Sequence, residues 1–439
     1  MTRHVRRHRR SRLVASLATL ALVLAVVGGI AVALRPAATD AALPSPGARP
    51  QVPSATSTAT PDETPTVAPT PEPDAQLTIV AAGDVLPHLP VDASARTANG
   101  YDFGKLLAGM DDWVAGADLA LCHMEVPIAP AGKKPSGYPL FGAPKQIAQA
   151  LKDQGWDGCS TASNHSVDRG FAGITATLDA FDAVGLGHAG TARTAKEAAQ
   201  PQLYRLERAG QTITVAHIAA AYGTNGMPID ADKPWSVELI DVPTMVEQAK
   251  EARAAGADLV VASVHCCVEY QTQPTAEQEQ IDQQLADSGE IDLVIGHHAH
   301  VPQPVARLQG GPDGRGMWVA YGLGNFVSNQ DAACCVPETD SGIFLTAHVV
   351  SPAADPATGA KAGPARIDMV EWTGVTVDRL GGHRVHALPD ITDGVGKLSA
   401  KQVAQREGRV AKAAGHEAPE RTIPVTPTGP APVVVMRKG

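Results

Sequence analysis

Several things are scarce in this chain of 439 residues, and each scarcity closes off a class of protein. Residues 13–34 contain no charged side chain, although Arg3, Arg6, Arg7, Arg9, Arg10 and Arg12 crowd the positions before them without a single acid. A buried core helix is a poor reading of such a segment, which is apolar all round and flanked by six arginines. Its 22 residues rise about 1.5 Å each and cover a hydrocarbon layer of roughly 30 Å. The pattern predicts a transmembrane signal anchor over 13–34 with residues 1–12 as a cytoplasmic basic tail, placing the rest outside the cytoplasmic membrane. A cleaved signal peptide, leaving a secreted protein, is the alternative. Its apolar core usually runs about 7 to 15 residues, and Ala38-Thr39-Asp40-Ala41 offers a small-residue cleavage site.

Residues 35–76 lack apolar runs and consist of Pro, Ala, Thr and Ser with scattered acids. That composition cannot bury enough surface to fold and reads as a disordered, semi-stiff linker. Positive charge is scarce everywhere after the first twelve residues. The formal net charge is −10, and removing the six amino-terminal arginines (−10 − 6) leaves −16 for the remainder, which argues against a nucleic-acid partner. Cysteine numbers six. An even count suits disulfides in an oxidising exported compartment. The vicinal pairs Cys266-Cys267 and Cys334-Cys335 lack the usual two-to-four-residue separation of zinc thiolates, so a soft-metal site is the lesser alternative. Cys122 and Cys159 end neighbouring predicted strands and are able to pair. One bond across the two vicinal pairs would tie the His265 loop to the segment after Phe326.

What is present is a set of short aliphatic runs, each ending in a polar residue. The chief one is Leu293-Val294-Ile295-Gly296, which stops at a glycine and releases His297, His298 and His300 within four residues. Runs that short and apolar suit the interior strands of a parallel sheet, whose ligands sit at the carboxyl ends of the strands. The same rule repeats. Leu77 to Ala82 ends in Gly83-Asp84, Leu119 to Cys122 in His123-Met124-Glu125, Gly158 to Ala162 in Ser163-Asn164-His165, Leu259 to Val264 in His265, and Met317 to Tyr321 in Gly322-Leu323-Gly324-Asn325. Helices are expected between them around 103–114, 144–154, 171–184, 242–255 and 276–288, so the body is an α/β protein. Taken singly, Asp84 reads equally as a turn residue, Glu125 as a solvated charge, Asn164 as a helix cap and His265 as a hydrogen-bonded core histidine. Their coincidence at five strand ends favours one shared pocket.

Carboxylate, amide oxygen and imidazole together suit first-row divalent ions such as Mn, Fe or Zn. Asp84, Glu125, Asn164, His265, His297, His298 and His300 exceed the four ligands of a structural zinc site and suffice for two ions about 3.5 to 4 Å apart. Arg169, four residues after His165, offers a guanidinium fork for carboxylate or phosphate. Asn325 is placed to present its amide to the site or to make a turn.

In order along the chain, Gly83-Asp84, Glu125-Val126-Pro127-Ile128, Asn164 to Gly170, His265 with Glu269-Tyr270, His297 to Pro304 and Tyr321 to Phe326 resemble the motifs of the CapA family of bacterial capsule or poly-γ-glutamate synthesis proteins. That family has a fold similar to the calcineurin-like metallophosphoesterases. The resemblance spans about Leu77 to Val350. It implies a four-layer αββα sandwich, metal ligation by the residues named above, and a general-acid role for His165. It departs from the phosphoesterase pattern in having Leu86 where a histidine is usual, with His88 the nearest imidazole, and Glu125 where an aspartate is usual.

The expected organisation is therefore a body over 77–390 and a carboxyl-terminal tail over 391–439, partly disordered, with a helix near 399–414 and a Pro-rich end. Two functions follow. The first is a metal-dependent hydrolase or transferase acting on a phosphoester or a γ-glutamyl polymer, in which His165 protonates the leaving group and Arg169, Asn325 and Glu269 contact substrate. The second is a non-catalytic component that binds the anionic polymer beside other membrane components of polymer synthesis and export.

Overall fold

The chain was analysed as a computed structural model that describes residues 72–439. The expected membrane anchor and most of the expected linker lie outside the described residues. Among the described residues no helix is long and apolar enough to cross a membrane.

The aliphatic runs form the interior strands of two sheets. In the first, β1 (Ala75–Val85), β2 (Leu119–Met124), β3 (Gly158–Ser160) and β4 (Gly187–Ala189) lie side by side and parallel. The chain then builds the second sheet from β5 (Gln202–Arg208), β6 (Gln211–Ala221), β7 (Leu259–His265), β8 (Leu293–His297), β9 (Val305–Leu308) and β10 (Met317–Ala320). Its order is β9-β10-β8-β7-β6-β5, with β6, β7, β8 and β10 parallel. The path returns to the first sheet through β11 (Asn325–Val327), beside the end of β1. Antiparallel strands β12 (Ser341–Ser351), β13 (Arg366–Asp378) and β14 (Arg384–Ala387) then extend the other flank.

Strand alternation explains the layering. On β1 and β2, Leu77, Ile79, Ala81, Leu119 and Leu121 point to the second sheet and meet Val215, Leu259, Val261, Leu293 and Ile295. Val80, Ala82, Ala120 and Cys122 point the other way, onto Ile147 and Leu151 of α1 (Gln146–Gln154) and Phe181 of α2 (Gly170–Val184). On the far side Val260, Ala262, Val294 and Val319 receive Met245 and Ala249 of α3 (Val242–Ala254) and Leu285 of α4 (Ala276–Asp287). Each Val, Leu, Ile or Met among them contributes about 1.5–3 kcal/mol on burial. The result is the helix–sheet–sheet–helix stack expected of the resemblance, and the carboxyl ends of β1, β2, β3, β7 and β8 open on one edge.

Three expectations differ from what is seen. The stretch read as one helix over 103–114 is two short helices, Gly104–Leu107 and Asp111–Ala115, because Gly109 between them backs directly onto Val385 of β14. The tail is held along its length. Helix α5 (Ala400–Ala414) is capped by Ser399 and Gln402 and buries Val403 and Val410, and β15 (Val433–Val435) pairs with β5. Thr428 donates its N–H to Asp118 and its hydroxyl to Gln76 O, both at 2.7 Å, so polar bonds replace the apolar burial that its composition lacks. Among the cysteines, Cys122–Cys159 bridges β2 and β3 as the strand order allowed, but Cys266–Cys267 and Cys334–Cys335 each pair with their own neighbour and not with each other.

Candidate metal centre

Two glycines set the edge where the strand ends meet. Gly83, before Asp84, lies against Gly324, and Gly296, before His297, lies against Tyr321; any β-carbon there would overlap the opposing carbonyl. The contact lets Asp84 N donate to Gly324 O at 2.8 Å and brings β1, β8 and the Gly322–Asn325 turn together.

Asp84, His123 and His297 form one group of ligand atoms lying within 4.8 Å of one another, and Glu125, His298 and His300 form another. All six are buried. His297 Nδ1 stands 3.4 Å from Asp84 Oδ1. His300 joins the groups, with Nδ1 3.0 Å from Asp84 Oδ2 and Nε2 3.6 Å from Glu125 Oε1. These approaches are close but poorly aligned for hydrogen bonding. Both oxygens of Asp84, both of Glu125 and the Nδ1 atoms of His297 and His298 are left without a partner. Six buried acceptor atoms with no donor would be costly unless they face something that satisfies them. A cation does so, and carboxylate with imidazole is the donor set that divalent first-row ions take.

The electrostatics separate the two acids. Burial opposes charge on Asp84, but His297 and His300 beside it hold its carboxyl well below the usual range. Burial raises Glu125 to about 7, against the pull of His300. Burial works against His300 too, yet Glu125 and Asp84 lift it to about 10. Burial lowers His298 to about 3, leaving its ring neutral and free to ligate.

The loop carrying these rings is not extended. His298 and His300 take φ of 82° and 57°, the left-handed region that costs a non-glycine residue strain and that recurs where a side chain must be aimed. Asn325 holds this conformation. Its amide donates to His300 O (3.2 Å), Gln330 Oε1 (2.9 Å) and Thr339 O (2.9 Å), and its Oδ1 lies 3.2 Å from His300 Nδ1. It is fully buried and braces the His298–His300 loop.

Asn164 and His265 lie beside the two groups. His265 Nε2 is 2.8 Å from Asn164 Oδ1, its Nδ1 is 2.9 Å from His123 Nε2, and His123 Nδ1 is 2.7 Å from Ser160 Oγ. With His123 donating Nδ1–H to Ser160 Oγ and His265 donating Nε2–H to Asn164 Oδ1, His123 Nε2, 3.9 Å from Asp84 Oδ1, keeps its lone pair and is able to ligate. Burial keeps both rings neutral, with each pKa well below the ordinary value.

His165 faces the cleft with Nδ1 2.7 Å from Asp168 Oδ2, which also accepts from Phe141 N at 2.8 Å. Burial resists its protonation, but the bond to Asp168 and the charge of Glu125 raise its pKa. Arg169 is turned away from the cleft. It donates to Ser136 Oγ at 2.7 Å and Lys134 O at 3.4 Å, so it fixes the loop that forms one wall. Glu269 lines the opening, with His88 and Tyr270. The cleft measures ≈ 730 Å³, whereas the cavity beside Thr191, His217 and Arg437 measures ≈ 30 Å³ and accommodates little more than a water.

Two residues of this arrangement were not assigned a role from sequence. His123 shares the inward face of β2 with Leu119 and Leu121, two and four residues earlier, so strand alternation aims it at the centre. Asp168 stands three residues after His165, within one turn.

The sequence profile described as "Bacterial capsule synthesis protein PGA_cap" matches residues 78–330. The "PGA biosynthesis protein CapA" of Bacillus subtilis is 29% identical over 194 residues, 42% of this chain and 46% of its own length, so the match spans about half of that relative. The "Probable polyglutamine synthesis accessory protein" of Mycobacterium tuberculosis is 25% identical over 321 residues, 66% of this chain and 80% of that one. Among solved structures, the calcineurin-like phosphoesterase YfkN of Bacillus subtilis is similar at 13% identity over 77% of this chain and 97% of its own (TM-score 0.39). The NAD nucleotidase of Haemophilus influenzae is similar at 11% identity over 79% and 65% (TM-score 0.43).

Proposed function

The chain belongs to the bacterial capsule synthesis protein family, whose profile covers more than half of it, and from that premise we propose that it is a metal-dependent phosphoester hydrolase acting in capsule or poly-γ-glutamate polymer synthesis. The observation that carries the reading is the pair of buried acids, Asp84 and Glu125, set among imidazoles with no hydrogen-bond donor aligned to either.

Asp84, His123 and His297 would hold one divalent cation, and Glu125, His298 and His300 a second. Manganese, iron and zinc all suit these ligands. Bound cations supply Lewis acidity to a phosphoryl oxygen and a nucleophile at neutral pH. The chain's own residues do the rest. His165, fixed by Asp168 at Nδ1, keeps Nε2 toward the cleft and gives its proton to the leaving oxygen. Asn325 keeps the His300 loop in its strained form, and Ser160 holds His123 in place with His265 and Asn164 packed beside it. We place the body outside the cytoplasmic membrane, tethered through residues 13–34, where it would meet a growing anionic polymer and the membrane components that make and export it.

The test is metal content and turnover of bis-p-nitrophenyl phosphate by the purified full chain, compared with Asp84→Asn. Metal and turnover in the parent, with both lost in the variant, is the expected result. Bound metal with no turnover of any phosphoester or of poly-γ-glutamate would replace catalysis with capture of the polymer.

A further inference from the structure

The charge of the cleft and the character of its rim point in one direction. No lysine or arginine is among the described residues that line the cleft. Arg169 is committed to Ser136 and Lys134 O, and Lys133 and Lys134 stand exposed farther back in the same loop, outside the lining. Glu269, an acid, stands at the opening with His88 and Tyr270. Negative charge beyond the one group held at the metal-type cluster would therefore find Glu269 and neither lysine nor arginine.

The lips are apolar instead. Tyr138, 81% exposed, and Leu140 line the cleft, with Leu89 exposed against Gly137 of the same loop; Tyr222 and Val268 are exposed as well. Single exposed apolar residues are ordinary, but among the described residues Tyr138 and Leu140 are exposed two positions apart on the cleft lining. Tyr222 and Val268 adjoin the cluster and the lining. The Tyr222 ring lies 4.7 Å from that of His298, and Val268 directly precedes Glu269. The lip bearing Tyr138 and Leu140 is held in place. Ser136 Oγ donates to Leu140 O at 2.6 Å, Phe141 N donates to Asp168, and the Phe141 ring packs edge-on to His165 at 4.8 Å. The exposure of Tyr138 and Leu140 thus belongs to a braced loop whose next residue touches the proposed general acid.

We propose that the site takes an amphiphilic phosphoester, with its single phosphoryl group at the metal-type cluster and an apolar group esterified to it lying along the Tyr138–Leu140 lip, and that it discriminates against nucleotides and other polyphosphates. This rests on the phosphoester reading above. Hydrolysis breaks the P–O bond to the apolar alcohol. Water adds its oxygen to phosphorus and loses a proton to solvent, and His165 delivers a proton to the departing alkoxide and is reprotonated from solvent.

The test is a set of kcat/KM values for the manganese-loaded full chain on hexyl phosphate, glycerol 1-phosphate and ATP. The first two have leaving alkoxides of similar reactivity, so their ratio reports recognition. Hexyl phosphate is expected to exceed glycerol 1-phosphate by about ten-fold or more, with ATP the poorest of the three. Tyr138→Ser/Leu140→Ser should bring the hexyl-to-glycerol ratio below about three, through KM. A ratio near one in the parent, an ATP value above hexyl phosphate, or a ratio untouched by the double variant overturns the proposal. If no ester is turned over, hydrolysis itself is refuted. Calorimetric binding of hexyl phosphate against glycerol 1-phosphate to the same manganese-loaded protein then decides the preference, equal affinity overturning it.

Discussion

The two ends of the same strands make the most informative contrast in the molecule. Just before β2, Asp118 is buried and accepts hydrogen bonds from Thr78 N at 2.8 Å, Arg208 Nη2 at 2.7 Å and Thr428 N at 2.7 Å. Just after β2, Glu125 is equally buried and has no aligned donor. The pattern at the starting ends repeats. Asp157, Asp258 and Asp292 precede β3, β7 and β8, and each accepts a backbone N–H from the neighbouring strand: Ala120 N at 2.9 Å, Thr214 N at 2.8 Å and Val260 N at 2.7 Å. An aspartate at the start of a strand is thus a staple between strands. An acid at the finishing end is left open, and openness with burial is tolerable only where a cation completes the site.

A third class sharpens the distinction. Asp92, Asp282 and Glu407 are also short of partners, but lie away from the strand ends. Burial pushes them up to about 7, 8 and 7, so they approach neutrality by holding a proton. Asp84, kept ionised by the imidazoles around it, does not have that escape.

The contrast can be broken by substitution at either end. The largest effect is expected at the open end. Asp84→Asn or Glu125→Gln should cost about a thousandfold or more in turnover, the several kcal/mol that a lost cation contributes, together with metal retention. The thermal midpoint of the metal-free protein should stay level or rise for Glu125→Gln, whose carboxyl burial raises to about 7, and fall for Asp84→Asn, whose charge His297 and His300 favour. Kinetics, metal analysis and calorimetry together check this. At the stapled end Asp118→Ala should lower unfolding stability by about 3–5 kcal/mol, because it strands the buried Arg208. Metal content should be unchanged, as urea titration and metal analysis would report. Asp258→Ala, which removes one acceptor from Thr214 N, should cost about 1–2 kcal/mol by the same titration.

The smallest effect concerns the third class and depends on pH. A carboxyl whose folded pKa is raised from 3.8 to about 8 contributes stability that is fully present below 3.8 and is lost as pH rises through about 8. Asp282→Asn, which cannot ionise, should melt only slightly above the parent at pH 5 and well above it at pH 9. Equal midpoints at both pH values would show that Asp282 has a partner when charged.

Much of this was legible from residues because interior parallel strands are apolar on both faces and show as short, unbroken runs. The finishing residue of each run marked Asp84, Glu125, Asn164, His265 and the 297–300 loop as neighbours, and the structure brings them to one edge. Direction was harder to read. Arg169 and Asn325 have side chains suited to a ligand but spend their donors on Ser136 and on the His300 loop, and residue type carries no information about where a side chain turns. The left-handed backbone at His298 and His300 is held by Asn325, distant in sequence. His123 was recoverable by counting alternate positions along β2. The Pro-rich tail, read as partly disordered for want of apolar residues, is anchored through Thr428 and Arg437, contacts that composition does not encode.

The central claim is that distant strand ends meet to hold divalent cations, and metal stoichiometry of the full-length chain tests it most directly. After exposure to manganese and removal of free ions, the parent should retain about two ions per chain and Asp84→Asn clearly fewer, with unchanged circular dichroism. A parent that retains none, or an Asp84→Asn variant that retains as many as the parent, would contradict it.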